Sequence, residues 1–306
     1  MLEALLDAGI VPDLLVGTSI GAVNAAFMAA GPTPDRARML SDVWRRLSVE
    51  EFFPLRPAQV TRSVLAGAAL FSQAPLRTLL EREIPFRRIE EAAAPLRIVA
   101  TRCERRVDTV LSLRSVGAGL DRRAGQAWVP LQRAAAKLDR TIETAGIPLR
   151  IVATRFERRT EEVFSTGPVL DALLASTALP LVFPPFRIDG HVYVDGGLSE
   201  YVPLGPAVEA GARTIYVLSL EGSLEPGTGH PAVTAVYRSV GNRLWRRLAA
   251  TTAQVRTDHP DVRVIELPAP PGPVGLRDFS HLGDLIDHAR EGVLRFLSEG
   301  PLGRTA

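Results

Sequence analysis

The sequence predicts an α/β fold with a mostly parallel central sheet covered by helices on both faces. Three observations carry this expectation. A short apolar run, Asp13-Leu14-Leu15-Val16, leads through Gly17-Thr18-Ser19-Ile20-Gly21 into the alanine-rich stretch Ala22–Ala30, the order of strand, sharp turn and helix. Strand-like and helix-like segments then alternate along the chain with few hairpins between them. Ile98-Val99-Ala100 and Ile151-Val152-Ala153 read as strands buried on both faces, as parallel sheets require.

Leu2, Leu5 and Leu6 share one face of a short helix that Gly9 can terminate. The strand at 13–16 and the helix after its turn come next, closed by Gly31-Pro32. Pro32-Thr33-Pro34-Asp35 caps a helix over about 35–47, with Leu40, Val43, Trp44 and Leu47 inward. Residues 50–75 scatter apolar side chains among prolines and glycines. They read either as loops and short helices forming a lid or as a helical outer layer. Leu76–Ile84 is a helix with a charged outer face.

Residues 95–106 and 148–159 are the same twelve-residue stretch, differing only at Cys103 and Phe156. Two copies are too few for a repeat architecture, which stacks several like units. A partial duplication or a rearranged gene explains them, and the second copy runs on smoothly into the chain after residue 159. The expectation is therefore that 149–155 is the strand of the native sheet. Residues 107–147 then form an inserted segment, with a helical stretch near 129–145. Glu162–Ser165 is a short strand and Val169–Thr177 a helix. Phe186–Asp195 is a hairpin turning at Asp189-Gly190. A helix at 204–210, a strand at Thr214–Ser219, a helical region over 231–257, a strand at Val262–Leu267 and a closing amphipathic helix over 281–298 complete the chain.

Composition narrows the function. Of 306 residues, 46% are hydrophobic and 23% charged, ordinary for a globular protein with a sizeable core. A net charge of +2 gives no reason to expect a nucleic-acid partner. Cys103 is the single cysteine, so neither a disulfide framework nor a cysteine-rich metal site is expected. The N-terminus has acids and no basic n-region, and no long uncharged apolar run occurs. These features suggest a cytoplasmic protein.

The candidate chemistry centres on Ser19. A serine on a strand-to-helix turn, flanked by glycines two residues to either side, is a nucleophile elbow. Side chains at Gly17 and Gly21 are expected to collide with the strand or helix. The serine sits at a helix N-terminus, where free N–H groups favour developing negative charge. Its base could be Asp195, which ends an apolar strand and precedes Gly196-Gly197. A carboxylate is a weak base and needs a site poor in water. On its own, Asp-Gly-Gly reads equally as a turn. A histidine base is the alternative, with His191, His230, His259, His281 and His288 available. None of them follows a late strand directly.

Three segments together resemble the patatin-like phospholipase family, in its bacterial, neuropathy-target-esterase-like branch. They are Gly17–Ala25, Ala175–Pro185 and Ile188–Gly197. The resemblance covers about 1–60 and 148–220. It implies a three-layer α/β/α patatin-like fold and a Ser19–Asp195 dyad. It also implies hydrolysis of acyl esters in phospholipids, lysophospholipids or related lipids, without metal or cofactor. Transient contact with a membrane surface, at the inner face, would follow from such a substrate.

The sequence departs from the family pattern in three places. The family places a strand and a glycine-rich oxyanion loop ahead of the helix that enters the elbow, whereas here Met1 begins within that helix. The expectation is a single acyl-hydrolase domain over 1–306, truncated at its N-terminus relative to the family. Of the oxyanion site, the Ile20 N–H would remain and the rest would be missing. Tyr201 stands where the family usually has asparagine. The segment at about 95–147 is duplicated or inserted. These departures leave a second reading open, a catalytically impaired or inactive scaffold. A third is an α/β-hydrolase with a histidine triad.

Overall fold

The computed structural model describes residues 1–53, 69, 71–112, 150–180, 182–219, 248–270 and 279–300. The expected helix near 129–145, the first part of the 231–257 region, and most of 54–70 lie outside them.

The chain opens with helix α1 (Leu2–Asp7), which Gly9 ends at φ 77°, and enters strand β1 (Leu15–Thr18). Helix α2 (Ile20–Ala29) comes after the elbow. Ala22, Ala26, Met28 and Ala29 are fully buried on it. Small side chains over most of its circumference let it lie close against the sheet and its neighbours. Helix α3 (Pro34–Arg46) starts at Thr33, whose hydroxyl accepts from the Arg36 N–H at 3.3 Å. It is tied to α2 where Trp44 Nε1 donates to Asn24 Oδ1 at 2.9 Å. Helices α4 (Val49–Phe52) and α5 (Ala74–Glu83) extend this layer. Phe53, Phe71 and Phe183 pack together, with ring centroids 5.1 and 5.9 Å from that of Phe53.

Strand β2 (Leu96–Ser112) is the spine of the main sheet. It pairs in parallel with β1, Leu15 opposite Leu96 through Thr18 opposite Val99. Strand β3 (Arg150–Phe164) returns antiparallel along it, Ile98 opposite Phe164 through Ser112 opposite Arg150. Helix α6 (Val169–Ser176) then leads to strands β4 (Phe186–Ile188) and β5 (His191–Asp195). These form the expected hairpin, turning at Asp189 (φ 47°) and Gly190 (φ 79°). β5 pairs antiparallel with β2, Ala100 opposite Asp195 and Cys103 opposite Val192.

This is a mixed α/β fold with a central sheet flanked by helices, and the expectation of a mostly parallel sheet is corrected. Among the described residues, only β1 and β2 are parallel in the five-stranded sheet. Parallel pairing needs a long crossover, which α2 to α5 supply between those two strands. The β4–β5 turn is a direct reversal, and β3 folds back along β2. The expected strand at 162–165 is the end of β3.

The first copy of the duplicated stretch, not the second, lies beside β1, which overturns the expectation for 149–155. Both copies offer the same residues, so the smooth continuation of the second copy after residue 159 does not decide between them. The route from α5 decides it. The Ala94 N–H donates to the Ala29 carbonyl at 3.0 Å, and the Leu15 N–H to that of Pro95 at 2.9 Å. These bonds seat the first copy at its entry to the sheet.

Helix α7 (Leu204–Glu209), strand β6 (Thr214–Val217), a helical stretch over 248–258 and strand β7 (Arg263–Glu266) come next. β6 and β7 pair in parallel as a separate two-stranded sheet. The closing helix α8 (Leu282–Ser298) packs its Val293 with Ala4, Leu5 and Leu267. Arg290 holds Asp7 at 2.8 Å, and Arg45 pairs with Asp287. Helices α1 and α8 are thus packed together.

Candidate active site

Strand β2 brings the candidate residues together. β3 pairs with Ile98–Cys103 along one edge, so β1 and β5 must both lie on the other. β1 ends at Thr18, opposite Val99, and β5 ends at Asp195, opposite the next residue, Ala100. The two strands run toward each other and stop at adjacent positions. The turn after β1 and the acid ending β5 therefore meet.

Ser19 has φ 54° and ψ −128°, a conformation that non-glycine residues rarely adopt. The elbow demands a close approach at Gly17, where a Cβ would lie 2.5 Å from the Ala22 Cα and the Gly21 oxygen. Gly21 differs from expectation: a Cβ there would meet nothing within 4 Å. It fronts open space beside the serine rather than relieving a clash. Gly196 is the second close approach, since a Cβ would come within 2.3 Å of the Val99 oxygen.

Ser19 Oγ donates to Asp195 Oδ2 at 2.5 Å. The other carboxylate oxygen, Oδ1, accepts from the Gly197 N–H at 2.8 Å. Asp195 is 4% exposed. Burial pushes its carboxyl up from 3.8 to about 6, against the opposing pull of the hydrogen bonds from Ser19 and Gly197. A carboxylate so placed is a better base than one in water, and it already accepts the hydrogen bond of the serine hydroxyl. The Asp195 main chain is fixed as well. Its N–H donates to the Ala178 carbonyl at 3.0 Å, and its carbonyl accepts from the Thr101 hydroxyl at 2.9 Å.

Ile20 is the first residue of α2, where a helix has no carbonyl of its own to offer the N–H groups. Its side chain is 40% exposed, next to Ser19. Tyr201 lies beside the Asp-Gly-Gly turn; a Cβ on Gly197 would sit 3.8 Å from its ring.

Among the described residues, no histidine hydrogen-bonds Ser19 or Asp195. His191 opens β5, with Nε2 3.4 Å from the Arg102 guanidinium. His281 stands beside Asp284 at the start of α8, and His288 is exposed on that helix. His230 lies outside the described residues. No cluster of three or more His, Cys, Asp or Glu suited to a metal occurs among the described residues. No described helix is long and apolar enough to cross a membrane.

Three polar residues around the site were not singled out from sequence. Ser176 accepts from the Ser19 N–H at 2.8 Å and donates to the Val99 carbonyl at 2.6 Å. Thr101 braces Asp195. Ser199 donates to the Gly196 carbonyl at 2.9 Å. A signal existed for two of them: Thr101 is a hydroxyl following Ile98-Val99-Ala100, and Ser176 is the only hydroxyl in Val169–Ser176. Glu200 is half-buried just beyond. Burial, then its hydrogen bond and charge repulsion with Glu161, push its carboxyl up to about 8.

A family model described as patatin-like phospholipase matches residues 1–208. Among curated proteins, one from Mycobacterium bovis and two from strains of Mycobacterium tuberculosis are described as uncharacterized NTE family proteins. Each is 34% identical over 87 residues, covering 28% of this chain and 24% of the relative. The match thus spans about a quarter of the length of those relatives.

Proposed function

The chain belongs to the patatin-like phospholipase family, and from that premise we propose that it is a serine acyl hydrolase. Its substrates are carboxylic esters of lipids, of the phospholipid or lysophospholipid type. In the same reading residues 1–306 form one three-layer α/β/α domain, which the packing of α1 against β7 and α8 supports. The observation that carries the proposal is the 2.5 Å hydrogen bond from Ser19 to the buried Asp195 carboxylate.

The steps follow from that geometry. Ser19 Oγ attacks the ester carbonyl carbon while Asp195 accepts the hydroxyl proton. The carbonyl oxygen takes up negative charge, to which the Ile20 N–H and the positive end of α2 are suited. The C–O bond to the leaving alcohol then breaks, and Asp195 returns the proton to that alcohol. Water next attacks the acyl-serine, giving a proton to Asp195. Collapse releases the fatty acid, and the proton returns to Ser19. The exposed Ile20 side chain supplies apolar surface for an acyl chain or a lipid aggregate.

The test is a fluorophosphonate probe, which labels only an activated serine, together with fatty-acid release from lysophospholipid. Labelling and release that vanish in Ser19→Ala support the proposal. A folded wild-type protein that does neither would favour the inactive scaffold.

A further inference from the structure

Ser176 ties three parts of the site into one unit. It is fully buried at the end of α6. It holds the amide of the strained nucleophile on one side and the carbonyl of Val99 on the other. Val99 is the residue opposite Thr18. Without the Ser176 hydroxyl, the Ser19 amide loses its acceptor and the Val99 carbonyl its donor. A buried polar group left unpaired is costly, and the strained elbow can relax to reduce that cost. We propose that Ser176 is a positioning residue for the nucleophile, acting through the Ser19 backbone; this rests on the acyl-hydrolase reading.

The experiment compares Ser176→Ala and Ser176→Thr with wild type. Ser176→Ala should lower kcat and the fluorophosphonate labelling rate together by ~10- to 100-fold, as a small misplacement of a reacting atom does. KM and the pH midpoint should hold, because Asp195 and the open space beside Gly21 are untouched. Ser176→Thr keeps the hydroxyl and should recover most of the rate. Equal labelling of Ser176→Ala and wild type would overturn the proposal alone. A wild type that is itself never labelled would instead overturn the acyl-hydrolase reading.

The duplicated stretch carries a second, independent inference. The position beside β1 demands Ile98, Val99, Ala100 and Thr101, each fully buried. It also uses the Val99 carbonyl for Ser176 and the Thr101 hydroxyl for Asp195. The second copy repeats these residues as Ile151, Val152, Ala153 and Thr154. The one difference, Cys103 against Phe156, falls at the end of the position, opposite Val192.

The register allows the substitution too. Ile98 faces Phe164 and Arg102 faces Thr160. With Ile151 in place of Ile98, Arg155 faces Thr160, and residues 156–159 become a hairpin loop of ordinary length. We infer that the two copies compete for one strand position beside the nucleophile strand, giving two arrangements with the same surroundings for Ser19 and Asp195. Strands specify register through their side-chain pattern, and here two segments share that pattern.

Substitution and thiol chemistry test this. Ile98→Asp and Ile151→Asp should each leave a cooperatively melting protein, because the intact copy fills the position. The double variant should not fold. Cys103 is the reporter: it is buried with the first copy in place, where burial pushes its thiol up to about 11. A thiol-disulfide reagent should therefore react with Cys103 at least ~10-fold faster in Ile98→Asp than in Ile151→Asp. An Ile98→Asp protein that is as unfolded as the double variant overturns the inference. So does a Cys103 that reacts in folded Ile98→Asp no faster than in Ile151→Asp.

Discussion

Asp195→Asn separates the two demands made on this residue, because the charge that serves chemistry opposes folding. In the folded chain its carboxyl is raised from 3.8 to about 6, mainly by burial. For a group raised in this way, the favourable contribution is fully present below about 3.8 and is lost as pH rises through about 6. The gap is worth about 3 kcal/mol at pH 7 and above, because one pK unit corresponds to about 1.4 kcal/mol. Asparagine has nearly the same shape, keeps an oxygen for the Gly197 N–H and carries no charge.

Asp195→Asn should therefore melt higher than wild type at pH 8, by up to about 5 °C for a chain of this size. The difference should shrink below pH 6 and be gone near pH 4. Hydrolysis should fall by ~10²–10⁴-fold, the usual loss when a general base is removed. The assay is thermal unfolding of both proteins from pH 4 to 8, with ester turnover followed alongside. A variant that melts lower than wild type at pH 8, or a difference that does not change with pH, would refute the buried-charge reasoning.

Turnover of the wild-type chain should rise with pH around a midpoint near 6 and then level off, because Asp195 acts only when deprotonated; a profile flat from pH 5 to 8 would point to another base. Gly17→Ala should destabilise by about 3 kcal/mol or more in denaturant unfolding, because its Cβ meets backbone at 2.5 Å that cannot move without opening the elbow. Gly21→Ala should change stability by less than about 1 kcal/mol but raise KM for lipid esters, since its methyl enters the open space beside Ser19. Glu200→Gln should remove a loss of stability that wild type shows as pH rises from about 4.5 through about 8, read as melting temperature across that range. His281→Ala and His288→Ala should leave ester turnover unchanged.

The elbow was legible because each of its parts has a local cause. A strand, a serine at a strained turn, a glycine that must approach Ala22 closely and an alanine-rich helix lie next to one another in sequence. The hairpin at Asp189-Gly190 was legible for the same reason. Ser176 and Thr101 were harder to read, because their partners lie 157 and 94 residues away. A lone hydroxyl after apolar residues marks such positions without naming what it holds. The two copies could not be ranked at all from composition. The choice between them rests on the path that brings Ala94 and Pro95 to α2 and β1. Gly21 was misread because the motif specifies glycine there, whereas a Cβ at that position would meet nothing within 4 Å.

The sheet departed from expectation at the place where the site needs it to. In an all-parallel sheet, strands sharing one neighbour point the same way, and their C-terminal ends lie at the same edge of the sheet. Two of them cannot end face to face on a single edge of one strand. Here β5 enters antiparallel, so its last residue meets the end of β1 at Val99 and Ala100. A carboxylate of short reach can then contact the elbow serine directly. No intervening imidazole is needed to span the gap. The β4–β5 reversal that breaks the parallel pattern is thus what lets Asp195 contact Ser19 directly, and the Asp-Gly turn at 189–190 that causes it comes immediately before β5, the strand that ends at Asp195.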